Sequence, residues 1–457
     1  MPRNGETNVG RTVQSAIYRD GIYGRRPVVP THPDALASAA RRRMTRTGWA
    51  YVSGGAGAQR TVEANREAFG RYRTVPRQMV DVGGRSLATT LLGRDLPAPV
   101  LFGPVGALEL AVQHQRGRGG RAAAPRNAEP ALAAAARDLG LPVVISSQAS
   151  TPMEHTAALL GDSPRWFQLY WSSDDTVVES FVARAEASGC EAIVVTLDTH
   201  VLGWRTLDLD LGYLPFARAE GIAQYLSDPA FRRLVEARVA GTRPPGVAPA
   251  GAAQDPGRRL PTPSAVRSLL SMARHHPGPT GRNLTQPYPR AAVETFLDVF
   301  SRSTLTWTDL AWLRARTTLP VLVKGIQHPD DARAALDHGA DGVIVSNHGG
   351  RQIDNAVASL DMLAPVVDAV RAHQAPGSTP APVLFDSGVR TGADVFTALA
   401  LGADAVLLGR PWVYGLALAG ADGVRAVAEH VLAELDLTMA LAGVSAVDQI
   451  GRHNLAL

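Results

Sequence analysis

Pro320-Val321-Leu322-Val323-Lys324-Gly325-Ile326, a helical run over residues 329–338, and then Gly342-Val343-Ile344-Val345-Ser346-Asn347-His348 make one strand–helix–strand unit. Both outer runs are almost continuously apolar and rich in β-branched residues. That is the pattern of parallel strands buried on both faces, not the alternation of a half-exposed strand. The middle segment opens Pro329-Asp330-Asp331, a helix-start signal, and a parallel pair needs such a crossover. Working outward, similar strand runs lie at residues 99–105, 143–147, 166–171, 192–198, 382–388 and 405–411, which brings the total to eight. Helical spacing over residues 176–188 and 391–401 separates several of them. Eight such units predict an α/β chain folded as a (β/α)8 barrel of the TIM type.

The rest of the chain divides around that repeat. Residues 1–98 read as an N-terminal helical cap, with Tyr51 and the glycine-rich 54–57 turn near its middle, and 99–440 as the barrel. Residues 206–305 interrupt the barrel between its fourth and fifth strands, where a long insertion serves as a lid or an oligomer contact. Their middle, about 241–281, is rich in Pro, Gly and Ala and reads as loosely ordered. Residues 112–127 form an Arg/Gly/Ala-rich loop, and 441–457 a C-terminal tail.

Composition excludes several functions. With 45% hydrophobic and 19% charged residues, the 457-residue chain is globular rather than disordered or fibrous. A net charge of +4 without an arginine run interleaved with aromatics gives nucleic-acid binding no support. The single cysteine, Cys190, allows no intrachain disulfide. The first thirty residues lack the apolar core of a signal peptide, and no stretch approaches a membrane span. A cytoplasmic protein without metal, membrane or nucleic-acid partners is expected.

Polar residues gather at the C-terminal ends of the strand runs: Ser146, Gln168, Tyr170, Thr196, Asp198, Lys324, Ser346, His348, Asp386 and Arg410. Those ends converge on the barrel mouth, where active sites of this fold are built. Ser346-Asn347-His348-Gly349-Gly350-Arg351-Gln352 puts an imidazole and a guanidinium three residues apart, with glycines that allow a ligand close. Histidine accepts a proton near neutral pH, and arginine clamps a carboxylate with parallel hydrogen bonds. After the last two strands, Asp386-Ser387-Gly388-Val389-Arg390-Thr391-Gly392 and Gly409-Arg410 bring glycine amides and two arginines toward one dianion, in the loops where barrels commonly hold phosphate. No G-x-G-x-x-G follows a strand, which disfavours NAD. Lys324 is the only lysine in a chain that otherwise uses arginine; either drift spared it by chance, or a narrow site there needs a compact ammonium. A Schiff-base lysine is the alternative chemistry for it.

The run 346–352 with its strand context resembles the active-site signature of the FMN-dependent α-hydroxy-acid oxidase and dehydrogenase family. The resemblance extends from about Gly48 to Met439 outside the two insertions, through Trp166-Phe167-Gln168-Leu169-Tyr170-Trp171, Thr196-Leu197-Asp198 and Ala50-Tyr51-Val52-Ser53-Gly54. It implies FMN as cofactor, held by Pro104, Val105, Gly106, Ser146, Gln168, Thr196, Lys324, Ser346, Asp386, Gly388, Arg390, Gly409 and Arg410. It implies a small L-2-hydroxy acid bound by Tyr51, Tyr170, Arg205 and Arg351, with His348, oriented by Asp198, taking the hydroxyl proton. Lys324 would stabilise the reduced flavin, O2 would reoxidise it, and the family often forms tetramers. Three features resemble the lactate 2-monooxygenase branch, which turns lactate and O2 into acetate, CO2 and water. They are Leu202-Gly203-Trp204-Arg205 continuing to Leu209-Asp210-Leu211-Gly212-Tyr213-Leu214-Pro215-Phe216, the insertion opening Glu220-Gly221-Ile222-Ala223, and Gly103-Pro104-Val105-Gly106, with glycine where simple oxidases carry alanine. Gln148 stands where plant-type glycolate oxidases have tryptophan, and His114-Gln115 departs from the family's His-Pro-x-Gly-Glu run, as an inserted loop or an irregular sequence. A simple 2-hydroxy-acid oxidase or dehydrogenase, a Schiff-base barrel lyase and an inactive barrel scaffold are the other readings.

Overall fold

The computed structural model describes residues 9–113, 128–242, 262–373 and 380–456. Eight parallel strands close into a barrel: β1 Val100–Phe102, β2 Val143–Ser146, β3 Arg165–Tyr170, β4 Ile193–Thr196, β5 Val321–Ile326, β6 Gly342–Val345, β7 Val383–Phe385 and β8 Ala405–Leu408. The last strand pairs with the first, Leu408 opposite Phe102. All eight runs read from the sequence are strands, but most are shorter than their apolar character suggests. Asp198 and Asp386 lie past the hydrogen-bonded ends in loops, His348 opens the 3-10 turn His348–Gly350, and Arg410 opens the helix Arg410–Ala442. The ladder stops where the backbone must turn to build a site.

Strand periodicity decides what reaches the mouth. Leu101, Val144, Trp166, Val194, Leu322, Ile344, Leu384 and Leu407, one from each strand, pack together inside the barrel. The antiparallel pair Thr89–Leu91 and Arg94–Leu96 adds Leu91 and Leu96 to that cluster. The interior is therefore a filled core, not a pore. Two residues further along each strand the side chain points inward again. Those positions are Gly103, Ser146, Gln168, Thr196, Lys324, Ser346, Asp386 and Gly409. One apolar layer is followed by one polar layer, open only at its two glycines.

Helices Pro33–Arg43, Arg46–Ser53 and Arg60–Glu67 precede the barrel. The chain's end returns to this region, with Leu455–Ala456 antiparallel to Arg73–Thr74. In the insertion, the expectation of loose order over 241–281 is corrected in part. Pro263–His275 is a helix, capped by the Thr262 side chain with proline in its first turn, and Thr280–Asn283 adds another turn. Thr-Pro is a helix start that a Pro-rich composition disguises as linker. Residues 243–261 and 114–127, the latter including the irregular stretch after β1, lie outside the described residues. The insertion is fastened to the barrel through buried Glu109, whose Oε2 lies 2.9 Å from His275 Nε2 and whose Oε1 accepts from the Gly221 amide at 3.0 Å. No helix among the described residues is long and apolar enough to cross a membrane.

Candidate active site

The polar layer is held by its own side chains. Lys324 Nζ donates to Ser346 Oγ at 2.8 Å and lies 3.1 Å from Asp386 Oδ2 and 3.8 Å from Asp198 Oδ2. Burial works to lower this ammonium, but Asp386 and Asp198 outweigh it and hold it above the ordinary lysine range. A protonated amine is a poor nucleophile, and the two carboxylates around Lys324 favour that form, which argues against the Schiff-base alternative. Beside it, Gln168 Oε1 accepts from Ser146 Oγ at 3.1 Å and the Ser147 amide at 3.2 Å.

Above this layer stands His348. Its Nδ1 lies 2.7 Å from Asp198 Oδ1 and 3.2 Å from Thr199 Oγ1, and its Nε2 3.4 Å from the Tyr170 hydroxyl. Burial works to raise the Asp198 carboxyl, but His348 and Lys324 hold it down to about 2. An ionised Asp198 takes the Nδ1 proton as its partner, which leaves Nε2 as the ring's acceptor. Burial pushes the imidazole below its usual value against the pull of Asp198, so His348 is neutral at pH 7 and able to take a proton. Burial and Asp198 push the Tyr170 phenol up to about 12, which keeps it a donor.

The backbone under His348 is strained. His348 has φ +57°, and Gly349 and Gly350 follow at +64° and +76°. A Cβ on Gly350 would lie 2.6 Å from the Val62 amide nitrogen, so only glycine fits there. A non-glycine left-handed residue costs roughly 1–3 kcal/mol. Here Ser387 Oγ accepts from the Gly349 amide at 2.9 Å, Asn347 Oδ1 from the Gly350 amide at 3.1 Å, and buried Asn65 exchanges two 2.8 Å amide bonds with Asn347.

One cavity at the mouth, enclosing about 1050 Å³ of space outside the atoms with open solvent included, brings most of the sequence-derived candidates together. Tyr51, Pro104, Val105, Gly106, Tyr170, Thr196, Arg205, Lys324, His348, Arg351, Asp386, Gly388, Arg390, Gly409 and Arg410 all line it. Ser146, Gln168, Asp198 and Ser346 do not; Asp198 and Ser346 line a second cavity together with Asn347 and Gln352. Several arginine donors are already engaged. Arg410 donates to the carbonyls of Val52, Gly54 and Gly349, and Arg351 to those of Tyr51 and Gly54, at the end of helix Arg46–Ser53. Arg390 donates to the Val389 carbonyl at 2.8 Å. Burial and the nearby Arg351 bring Arg205 down to about 10. The sequence reading missed Thr199, Asn65, and the lining residues Phe216 and Phe300 from the insertion. Thr199 was findable as the hydroxyl next to Asp198. Asn65 carries no local signal, since its partner is 282 residues away.

The cavity fits a flat cofactor with a row of acceptors. Gln168 Nε2 and Thr196 Oγ1 are buried yet have no hydrogen-bond partner among the described residues, and the Lys324 ammonium stands next to Thr196 on the paired strand. An unmet buried donor costs about 1–3 kcal/mol, so a ligand with carbonyl and ring-nitrogen acceptors is the natural complement. Beyond it, a Cβ on Gly409 would meet nothing within 4 Å, which leaves room beside Arg390 and Arg410 for an anionic tail.

A filled parallel barrel whose mouth joins a neutral imidazole to paired guanidiniums and a buried ammonium defines a cofactor-dependent enzyme acting on a small acid. The chain belongs to the FMN-dependent dehydrogenase family, whose profile matches residues 40–457. It is 37% identical over 440 residues to an FMN-dependent alpha-hydroxy acid dehydrogenase of Penicillium citrinum, covering 96% of this chain and 94% of that one. It is 35% identical to an L-lactate oxidase of Lysinibacillus sphaericus, covering 90% and 89%. Among solved structures, a mandelate oxidase with (S)-4-hydroxymandelic acid superposes with a TM-score of 0.70 at 32% identity, covering 93% and 98%. The protein is thus an FMN-dependent alpha-hydroxy acid oxidoreductase, and FMN is its cofactor.

Proposed function

We propose that this chain oxidises a small L-2-hydroxy acid, L-lactate first, with O2 as electron acceptor. The observation that carries the reading is His348 Nε2, neutral and facing the same cavity as Arg205 and Arg351. In this reading Arg351, Arg205 and the Tyr51 hydroxyl bind the substrate carboxylate, which fixes the carbon bearing the hydroxyl against the cavity floor. Tyr170 donates to the substrate oxygen. His348 takes the hydroxyl proton onto Nε2, and Asp198 stabilises the imidazolium that forms. FMN, when bound, accepts the two electrons removed from the α-carbon. Gln168, Thr196 and Lys324 would meet its ring, and Gly388, Arg390, Gly409 and Arg410 its phosphate. Lys324 keeps a positive charge where electron density arrives.

The finer part of the proposal concerns the product. Phe216 and Phe300, from the insertion, line the cavity, and Phe216 sits edge-on to Tyr51 with centroids 6.2 Å apart. The described parts of the insertion, residues 206–242 and 262–305, act as a lid that keeps pyruvate and hydrogen peroxide together. The peroxide attacks C2 of pyruvate, the C1–C2 bond breaks to release CO2, and the O–O bond breaks to give acetate and water. Anaerobic bleaching of the yellow holoenzyme by a panel of 2-hydroxy acids, then product analysis in air, tests both parts. No bleaching by any of them sinks the oxidation proposed. Bleaching by L-lactate with stoichiometric pyruvate and free peroxide but no acetate sinks the lid. A tetramer belongs to the same reading and is checked by light scattering.

A further inference from the structure

Gln352 ends the run 346–352, and no step above uses it. Its side chain nevertheless joins the two halves of the chemistry. Nε2 donates to the carbonyl of Asp198 at 2.7 Å and of Val201 at 3.0 Å, while Oε1 accepts from Arg205 Nη2 at 2.9 Å. These partners fix the amide's orientation, because reversing it would set an oxygen against two carbonyl oxygens and an NH2 against a guanidinium. The backbones are equally close. A Cβ on Gly203 would lie 2.6 Å from the Gln352 oxygen and 2.7 Å from that of Arg351, so the segment after β4 rests directly on the loop after β6.

We propose that Gln352 is a positioning residue that sets the spacing between the His348–Asp198 pair and the carboxylate clamp, and that it must be a neutral amide. This rests on reading Arg205 as part of the clamp. Arg205 is buried beside Arg351, so two like charges share the cavity wall. An amide oxygen orients Arg205 without cancelling its charge, which stays available to a ligand's carboxylate. A carboxylate at the same place would form a charge-assisted pair with Arg205 and compete with the substrate. On its other side the amide holds the backbone at Asp198, and through it the carboxylate that orients His348.

The test uses holoenzyme carrying Gln352→Glu, which is isosteric, or Gln352→Met, which keeps the bulk without the hydrogen bonds. Oxalate, a small carboxylate with no α-hydrogen, serves as the probe, and its affinity is read by calorimetry alongside KM and kcat for L-lactate. Gln352→Glu is expected to weaken oxalate and raise KM at least tenfold with a smaller effect on kcat. Gln352→Met is expected to weaken oxalate severalfold and to lower kcat as well, because the Asp198 backbone loses its hold. Wild-type oxalate affinity in both variants overturns the proposal. So does an equal loss in both, since a merely structural residue would not distinguish Glu from Met. Should Gln352→Glu not fold, Gln352→Met still decides: unchanged oxalate affinity and unchanged kcat overturn it. A wild type that binds oxalate but is not bleached by L-lactate defeats the lactate reading and leaves this one standing.

Discussion

Around the mouth, strands β3 to β6, with Asp386 just past the end of β7, present side chains that hold one another, whereas the loops after β7 and β8 present Gly388, Arg390, Gly409 and Arg410. In the first half Asp198 connects to His348 at 2.7 Å and Lys324 connects to Ser346 at 2.8 Å, so each charged group has a partner within the protein. In the second half Gly388 and Gly409 line the cavity, Gly409 with open space where a side chain would stand, and Arg410 is anchored on main-chain carbonyls. The contrast suggests a division of labour. The interlocked half is preorganised for proton transfer, and the open half for a ligand that completes it. Substitutions in the first should change rate, and those in the second should change affinity or fit.

The largest effect should come from the interlocked half. His348→Ala is expected to slow anaerobic flavin reduction by about 10³-fold, within the range of a lost general base. Stopped-flow reduction checks this, and normal reduction in that variant removes His348 from its role. Asp198→Asn should slow it roughly 10²-fold and also move the pH profile. The active form is neutral His348, so kcat/KM falls as pH drops through its pKa, which burial places below the ordinary imidazole value. Asp198 raises that pKa, so its neutralisation should carry the acid limb to still lower pH; a limb that moves upward breaks the assignment. In the open half, Arg390→Met should weaken FMN about tenfold, the cost of one charge-assisted contact, as read by flavin fluorescence. The smallest effect is Gly106→Ala. Its Cβ would lie 3.1 Å from Gln148 Cβ and 3.2 Å from the Tyr51 hydroxyl, which should raise KM a few-fold by overpacking. An unchanged KM would mean that Tyr51 and Gln148 move aside freely.

The same division explains what could be read from the sequence. Apolar β-branched runs announce strands, and the period of two carries Ser146, Gln168, Thr196, Lys324, Ser346 and Asp386 to the mouth without further knowledge. Strand ends were less legible. Propensity does not place them: Asp198 and Asp386 continue their strand runs in sequence, yet the ladders end before them at Thr196 and Phe385, where the backbone turns to build the site. Contacts across the fold were not legible at all. Asn65 meets Asn347 and Arg410 meets Val52 only because the N-terminal helices fold over the barrel end. Phe216 and Phe300 line the cavity through the insertion's tertiary path, which composition alone misread near Thr262.

Lys324 is the chain's only lysine, and it is 3% exposed. A succinimidyl ester therefore finds no ε-amino group on the native surface, and acylation at this position becomes a gauge of how often the barrel end opens. Mass spectrometry should find that residue untouched in native holoenzyme and modified in step with denaturation, with added FMN slowing the reaction. Labelling as fast as that of a free lysine in the folded protein would show that the ammonium is not enclosed.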